Sequence, residues 1–481
     1  MKHALMRLGF LANCAFGTFG GDVQINDATA PVWERHFDGS SQDVGSAATI
    51  LPNGDIALVG LSYRGTGKDK TGIGFGDADG WVILADSAGQ KKWDTVVGGE
   101  GYDHLTDVKG LPDGRLICVG YSNSEVGLGK SAPHLYGQDY WVVCLAPDGK
   151  RLWDRTFDAG WAEYATGVAI VENQAIVVAG QSDVGGRLIY VDLDGNLIAA
   201  RVFQNVERIS AVTVDRNGKV YACGYTGPRT GKYNLWAAKL GEPGGQPEWT
   251  FVHNHQHGAR GFWLSALRDG GVLAVGNSSD GAGNGVGVLM KLDTPGNLMW
   301  RTSMKFDPKN TSMGGCYELD SGGFLIGGTT GLDGYHEQFM ARLDSNGGTL
   351  WIHRYPQNYR VQVSSVHQCG DGGFLSCGYW SGAGSDWDFR ISKLAPEATA
   401  LQLDPPAVSS SPRLGSHLAP DGFHFSVIGK TGRSYVAERT TDLANWRAFS
   451  TNTVTSGDVK VVDPEANGHL QTQYRVREVG P

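Results

Sequence analysis

From Trp93 to Phe157 the chain alternates short apolar runs with glycine-rich breaks. The runs are HLTDVKGL, RLICVGY, YWVVCL and RLWDRTF, each bounded by Gly, Asp-Gly or Pro-Asp-Gly. Apolar runs this short, each stopped by turn residues, predict β-strands rather than helices. The pattern recurs along the chain at a spacing of about 50 residues. Second-strand segments follow one another as DIALVGLS, RLICVGYS, AIVVAGQS, KVYACGYT, GVLAVGNS, GFLIGGTT and GFLSCGYW, and inner strands are predicted to begin near Val44, His104, Tyr164, Ile209, Arg260, Ser312 and Val361. Four antiparallel strands repeated seven times predict an all-β chain whose main body is a seven-bladed β-propeller.

The outermost strands carry Trp with an aromatic or apolar residue four positions on, at Trp33/Phe37, Trp93/Val97, Trp153/Phe157, Trp300/Met304 and Trp351/Tyr355. Side chains alternate along a strand, so both residues of each pair share a face. Packing between neighbouring blades is the expected role. The seventh blade has no fourth strand of its own, because Leu394 runs into a segment rich in Pro, Ala and Ser. The unassigned strand Pro31–Asp38 at the other end is predicted to complete that blade and close the ring, which removes an open sheet edge. The division expected is a leader over 1–30, a propeller over 31–397, a linker over 398–413 and a small C-terminal β-sandwich over 414–481.

Gly98-Gly99-Glu100-Gly101-Tyr102-Asp103, Asp113-Gly114 and Gly120-Tyr121-Ser122 give the repeat a G-x-x-x-D spacing and a D-G-x-x-x-x-x-G core. In this it resembles the bacterial extracellular seven-bladed β-propeller repeats called SBBP-like. That resemblance implies a fold and no particular activity. Tyr435, Glu438, Thr440, Asp442, Leu443 and Trp446 match a Y-x-x-E-x-(S/T)-x-D-L-x-x-W pattern. This stretch resembles a C-terminal module of exported proteins from verrucomicrobia-like and planctomycete-like bacteria, and the resemblance implies export. Lys2 and Arg7 ahead of a short apolar run likewise predict a signal peptide. A secreted, cell-surface or periplasmic location is the expectation.

Composition fits this reading: 71 glycines, 19% charged residues and 41% hydrophobic residues suit many short strands and tight turns. The net charge of -9, with no basic run, argues against nucleic acid as a partner. No apolar run is long enough for a membrane-spanning helix. The seven cysteines include no CxxC pair and no zinc-type spacing, so buried free thiols are expected. A Cys118–Cys144 disulfide is conceivable but not favoured.

Candidate chemistry lies in loops. The longest, Tyr63–Asp79 and Ser122–Asp139, fall on one face of the ring, and long loops on a rigid scaffold commonly carry binding. Lys68, Lys70, Lys130, His134 and Tyr136, together with Arg260, are the residues expected to meet an anionic or sugar ligand. In His253-Asn254-His255-Gln256-His257 the imidazoles alternate on one side of an extended chain, so His255 and His257 are candidate ligands for zinc or another divalent metal. Against this, His253 fills the packing slot that other repeats give to Phe or Val. Asp43, Asp103 and Glu163 recur at equivalent places, as do Asp79, Asp139 and Asp388, and this predicts carboxylates that accept backbone N–H bonds. Trp161, Tyr164, Tyr335, Tyr359 and Trp380 are candidate sugar-stacking residues. No nucleophile elbow, P-loop or HExxH occurs. The reading is an exported, monomeric, non-enzymatic binding or scaffold protein for a glycan or protein partner, with no cofactor beyond a metal at the histidines. The alternative is a polysaccharide lyase or glycoside hydrolase at the channel mouth, using His134, Tyr136, His255, His257 and Arg260.

Overall fold

The computed structural model describes residues 31–395 apart from 40, 158–159, 172–173, 228–231, 307–309, 333–334, 356–359 and 382–385. Outside that span it describes 4–6, 25–27, 413–419, 422–428, 434–440, 447–453, 458–463 and 473–479. The chain divides into two compact units, Gly17–Pro396 and Met1–Phe16 with Glu397–Pro481.

The first unit is a seven-bladed β-propeller. Blade 1 runs Asp43–Ile50, Ile56–Tyr63, Ala78–Ala85 and Lys91–Val97, and blade 2 runs Asp103–Gly110, Leu116–Ser122, Asp139–Leu145 and Arg151–Phe157. Blades 3 to 6 follow in the same antiparallel order, with inner strands starting at Tyr164, Arg208, Ala259 and Asn310. Blade 7 supplies Arg360–Gln368, Phe374–Ser381 and Trp387–Leu394, and its fourth strand is Trp33–Phe37 from the start of the unit. The predicted closing strand is therefore present, paired antiparallel with Trp387–Leu394. Ile25–Asp27, within the segment assigned to a leader by sequence, runs parallel to the outer strand of blade 6, Thr349–Tyr355.

Each inner strand carries a bulge that the sequence did not announce. The register shifts at Gly45/Ala47, Leu105/Asp107 and Ala165/Gly167, and at the matching place in the other four blades. The bulge drives one inner-strand carbonyl onto the glycine of the second strand. A Cβ on Gly60, Gly120, Gly180, Gly224, Gly276, Gly328 or Gly378 would lie 1.8–2.3 Å from the carbonyl oxygen of Val44, His104, Tyr164, Arg208, Arg260, Ser312 or Gln362, respectively. This contact explains the second glycine of the repeat.

The cores lie between blades. Val59, Val82 and Leu84 of blade 1 pack on Leu105, Cys118 and Trp141 of blade 2, and Leu58 and Trp81 pack on Cys377, Phe389 and Ile391 of blade 7. Full burial of each such aliphatic side chain contributes about 1.5–3 kcal/mol. The outer tryptophans act as predicted. The indoles of Trp93, Trp249 and Trp300 donate to carbonyls of Pro147, Thr294 and Ser345, in the turn between the third and fourth strands of the next blade. Those turns hold glycine under the ring, as at Gly149 beneath Trp93. Cys118, Cys144, Cys223, Cys316, Cys369 and Cys377 are free thiols, so no Cys118–Cys144 bond forms.

The second unit is also all-β. One antiparallel sheet orders Ala4–Met6, Gln473–Val479, Ser434–Thr440 and Arg447–Thr453, and another orders Arg413–Ala419, Gly422–Ile428 and Asp458–Asp463. Tyr435 and Glu438 of the sequence motif are buried, and Trp446 lies outside the described residues.

Candidate functional site: the loop face and the channel mouth

Loops from the second to the third strand share a face with loops from the fourth strand to the next inner strand. Backbone bonds tie them across blades: Asp77 N–H donates to Gly101, Gly98 to Gly129 and Glu163 to Gln138. Strand-start carboxylates shape the turns, as the repeat spacing predicted. Asp43 and Asp103 each accept from a glycine four residues earlier, Gly39 at 2.7 Å and Gly99 at 2.8 Å. Asp79 and Asp139 do the same for Phe75 and Leu135, at 2.8 and 2.9 Å.

In the outer strands of blades 1 and 2, the Asp that follows Trp then pins the long loops. Asp94 accepts from the N–H and hydroxyl of Thr71 and from the indole of Trp81, and Asp154 accepts from the N–H groups of Ser131 and Ala132 and from the indole of Trp141. Sequence reading passed over Asp94 and Asp154. The recurring Trp-Asp dipeptide was the signal available.

Lys70 and Lys130 do not reach a ligand surface, contrary to the expectation from their loops. They are 2% and 0% exposed. Lys70 donates to the Ser62 hydroxyl at 2.6 Å and to the Tyr63 carbonyl at 2.8 Å, and Lys130 to the carbonyls of Ser124 and Ala132 at 2.8 Å. Burial pulls both ammonium pKa values down, against the opposing pull of Asp43 and Asp79 on Lys70 and of Asp103 and Asp154 on Lys130. The physical reason is charge: the strand-start carboxylates are buried on this face and need internal cations. Arg187 plays this part for Glu163, at 3.0 Å. Lys68 is exposed as expected, and its ammonium lies 2.6 Å from Asp38.

His134 and Tyr136 part ways. The imidazole is held at 3.0 Å by the Gly137 carbonyl and at 3.3 Å by Glu125. Tyr136 projects to solvent and stacks on Trp161, with ring centroids 4.5 Å apart and tilted by 35°. The pair is anchored from both sides. Gln138 N–H donates to the Trp161 carbonyl, Trp161 N–H to Asp183, and Gly137 gives room for the close approach of the Trp161 carbonyl.

The three imidazoles of the histidine run do not meet as a group of three potential ligand atoms. The rings of His253, His255 and His257 stand 6.0 and 6.2 Å apart in sequence order. His253 shares a bond with Arg301 at 2.9 Å, and Nδ1 of His255 with the Ser278 hydroxyl at 2.9 Å. Burial drives the His253 pKa down to about 4, and the His255 pKa falls for the same reason. Among the described residues, the group of three side chains that bring potential ligand atoms within 4.8 Å of one another is Asp38, Asp43 and Asp388.

The bulge fixes which inner-strand residues are equivalent: Val44, His104, Tyr164, Arg208, Arg260, Ser312 and Gln362 occupy one position in the seven blades. Each is only part-buried or exposed, whereas the residues that follow them are fully buried. Inner strands line a propeller's channel, so this set rings its mouth. Tyr121 packs edge-on against Tyr164 at 4.9 Å and His104 at 5.3 Å, and stacks with Tyr102. Arg260 lies over Tyr233 at 4.1 Å and Tyr225 at 5.4 Å. Arg208, unnoticed in the sequence, has a buried Nε without a hydrogen-bond partner. Burial lowers the pKa of His104 to about 4, so at neutral pH the ring is uncharged. The residues proposed for catalysis fall into two groups with separate partners, His134 and Tyr136 on blade 2, and His255, His257 and Arg260 between blades 4 and 5. Of the other stacking candidates, Trp380 meets His36 edge-on at 4.4 Å, Tyr359 lies outside the described residues, and Tyr335 begins the third strand of blade 6.

The sequence matches no family model and no curated protein. Among solved structures, Sqt1 from Chaetomium thermophilum is similar at 12% identity, with 84% of this chain and 96% of that one covered and a TM-score of 0.43. The WD40 domain of coronin from Toxoplasma gondii is 10% identical over 78% and 89% of the two chains, with a TM-score of 0.44. A protein of unknown function from Bacteroides caccae is 14% identical over 62% and 93%, with a TM-score of 0.38. Likenesses at this level say nothing about ligand or activity, and the architecture rests on the strand pairing itself.

Proposed function

We propose that the chain is a non-enzymatic binding protein that takes an acidic glycan on the loop face of its propeller. The observation that carries this reading is the exposed aromatic pair, with Tyr136 54% and Trp161 61% exposed. Large aromatic side chains held rigidly in water by the bonds of their neighbours mark a contact surface. An aromatic face suits the C–H face of a pyranose ring, and the Tyr hydroxyl and indole N–H supply hydrogen bonds at its edge. Arg208 and Arg260 at the channel mouth add guanidinium donors, which favour a sugar carboxylate or sulfate. Export to the cell surface or periplasm accords with this role.

The test is a glycan array probed with the full chain and with Trp161→Ala. Expected is binding to uronic-acid or sulfated glycans that falls about two- to tenfold in the variant, in line with the worth of one stacked aromatic, with no change in melting temperature. An array on which the unsubstituted chain binds no glycan would overturn the reading.

A further inference from the structure

Arg208 and Arg260 hold the channel-mouth position in neighbouring blades, 4 and 5. Their counterparts in the other five blades are Val44, His104, Tyr164, Ser312 and Gln362, none of them charged at neutral pH. The positive charge of this ring is therefore gathered on one side, in a chain whose net charge is -9.

Tyr225 joins the two arginines. It is the cross-strand partner of Arg208, and its ring lies 5.4 Å from the guanidinium of Arg260. Tyr233 takes the same guanidinium at 4.1 Å. Stacking of this kind steadies the guanidinium plane without using its N–H groups, which stay available to an anion. Burial raises the pKa of Tyr121 on blade 2, and the charge of Arg208 opposes that rise, so Arg208 sits close to the aromatic side of the mouth.

A second observation points to an anion. Other arginines of the propeller are spent within the fold, Arg187 on Glu163, Arg390 on Glu34 and Arg201 on the carbonyls of Gly244 and Gly245. Among the described residues, neither the Arg208 nor the Arg260 side chain has a hydrogen bond or an ion pair, and the Nε of Arg208 is buried without an acceptor. A buried donor left without an acceptor is costly, more so on a charged group. A ligand oxygen removes that cost.

Trp161 stands three residues before Tyr164, and Tyr164 holds the mouth position of blade 3, the blade next to Arg208. From the exposed Tyr136–Trp161 pair towards the channel, the loop face thus offers an aromatic platform first and two guanidinium groups next. Trp161 leads into blade 3 and Arg260 lies on the first strand of blade 5, so one sugar ring does not reach both.

We propose that Arg208 and Arg260 clamp a single acid group of the glycan, and that the ligand is an oligosaccharide with one sugar stacked on Trp161 and a different, acidic sugar in the channel mouth. This rests on the glycan reading above and adds which part of the ligand carries the charge. Two forked guanidinium groups suit the oxygens of a carboxylate or of a sulfate. The sugar on Trp161 needs no charge, since an aromatic face reads its C–H surface.

The test is calorimetric titration of the full chain with two ladders, galacturonic acid from monosaccharide to hexasaccharide and heparin from disaccharide to octasaccharide, beside the methyl-esterified and desulfated forms. Expected is an affinity that rises at least about tenfold along one ladder and falls at least about tenfold when its acid is masked, the worth of a charged hydrogen bond. Loss on esterification assigns a carboxylate to the clamp, and loss on desulfation a sulfate. Arg260→Gln and Arg208→Gln are each expected to remove most of the preference for the free acid, with an unchanged melting temperature. Trp161→Ala is expected to weaken free and masked forms alike and to keep the preference. An affinity that stays level along both ladders overturns the inference, as does a preference for the free acid that survives in both arginine variants. With a positive glycan array, either result leaves the glycan reading standing. An array on which the chain binds no glycan overturns both.

Discussion

Glu34 and Arg390, 356 residues apart in the chain, form an ion pair across the seam that closes the propeller. Arg390 is 1% exposed and also donates to Gln338 of blade 6 at 2.8 Å, and Gln338 in turn reaches Ser376 of blade 7 at 2.9 Å. One guanidinium thus joins the closing strand, the last blade and the blade before it.

Removing the Glu34 charge leaves that guanidinium buried beside a neutral group. Breaking a fully buried pair costs about 3–5 kcal/mol, and the residual exposure of Glu34 reduces this to about 2–3 kcal/mol. Glu34→Gln is expected to lower the unfolding free energy by that amount in denaturant titration. Burial alone would raise the Glu34 pKa, but the bond with His36 and the charge of Arg390 outweigh it and hold it at about 2, against 4.5 unperturbed. The stabilisation is present above about pH 4.5 and is lost as the pH falls towards 2. The variant is therefore expected to show a shallower loss of stability with acid over that window.

Asp79 gives the opposite sign. Burial and then the neighbouring Asp103 raise its pKa from 3.8 to about 6, despite the N–H groups of Phe75 and Gly76. Between those values the folded chain holds a proton that the unfolded chain has released. This contribution therefore falls as pH rises from 3.8 to about 6 and stays low above. In Asp79→Asn the amide keeps an oxygen for Phe75 and turns its NH2 towards Asp103. Stability at pH 8 is expected to rise by on the order of 2 kcal/mol, with a flatter profile between pH 4 and 6. Thermal unfolding across that range checks both.

Lys130 is an internal counterion rather than a binding residue. Lys130→Met keeps the shape of the stem but strips the carbonyls of Ser124 and Ala132 of their donor and takes the buried cation away from Asp103. A loss of about 2–4 kcal/mol is expected, read as a drop in melting temperature. Glycan binding per folded molecule is expected to persist.

Gly120→Ala tests the bulge. Its Cβ would stand 1.8 Å from the His104 carbonyl oxygen, a backbone atom that cannot step aside without opening the blade. The expected cost exceeds about 4 kcal/mol, the range reserved for severe overpacking and strain. Gly127→Ala, with nothing within 4 Å of the added methyl, is expected to be neutral. Soluble yield and melting temperature of the two variants settle the comparison.

The strand count, the blade boundaries and the closing strand were legible because they depend on local pattern. Alternation of apolar residues, Asp-Gly turns and a recurrent Trp each act over a few residues, and Trp33 with Phe37 carried the outer-strand signature at the wrong end of the chain. The second glycine of each repeat was visible as a letter, but its cause was not. That cause is an inner-strand carbonyl, as His104 is to Gly120, and it exists only once the bulge has formed.

The site was less legible, because burial and convergence are long-range properties. Lys70 and Lys130 read as loop cations, and only the folded loops show them turned inward onto carboxylates. The histidines alternate in sequence, yet His253 and His255 are spent on Arg301 and Ser278. Asp38 and Asp388, separated by nearly the whole propeller, become neighbours only because the ring closes. The sequence by itself determined a closed, seven-bladed all-β body, since period-two patterning and turns are encoded residue by residue. Tertiary structure alone decided which charges are buried, which aromatics stay exposed and which carboxylates share a seam, because those depend on how distant blades meet.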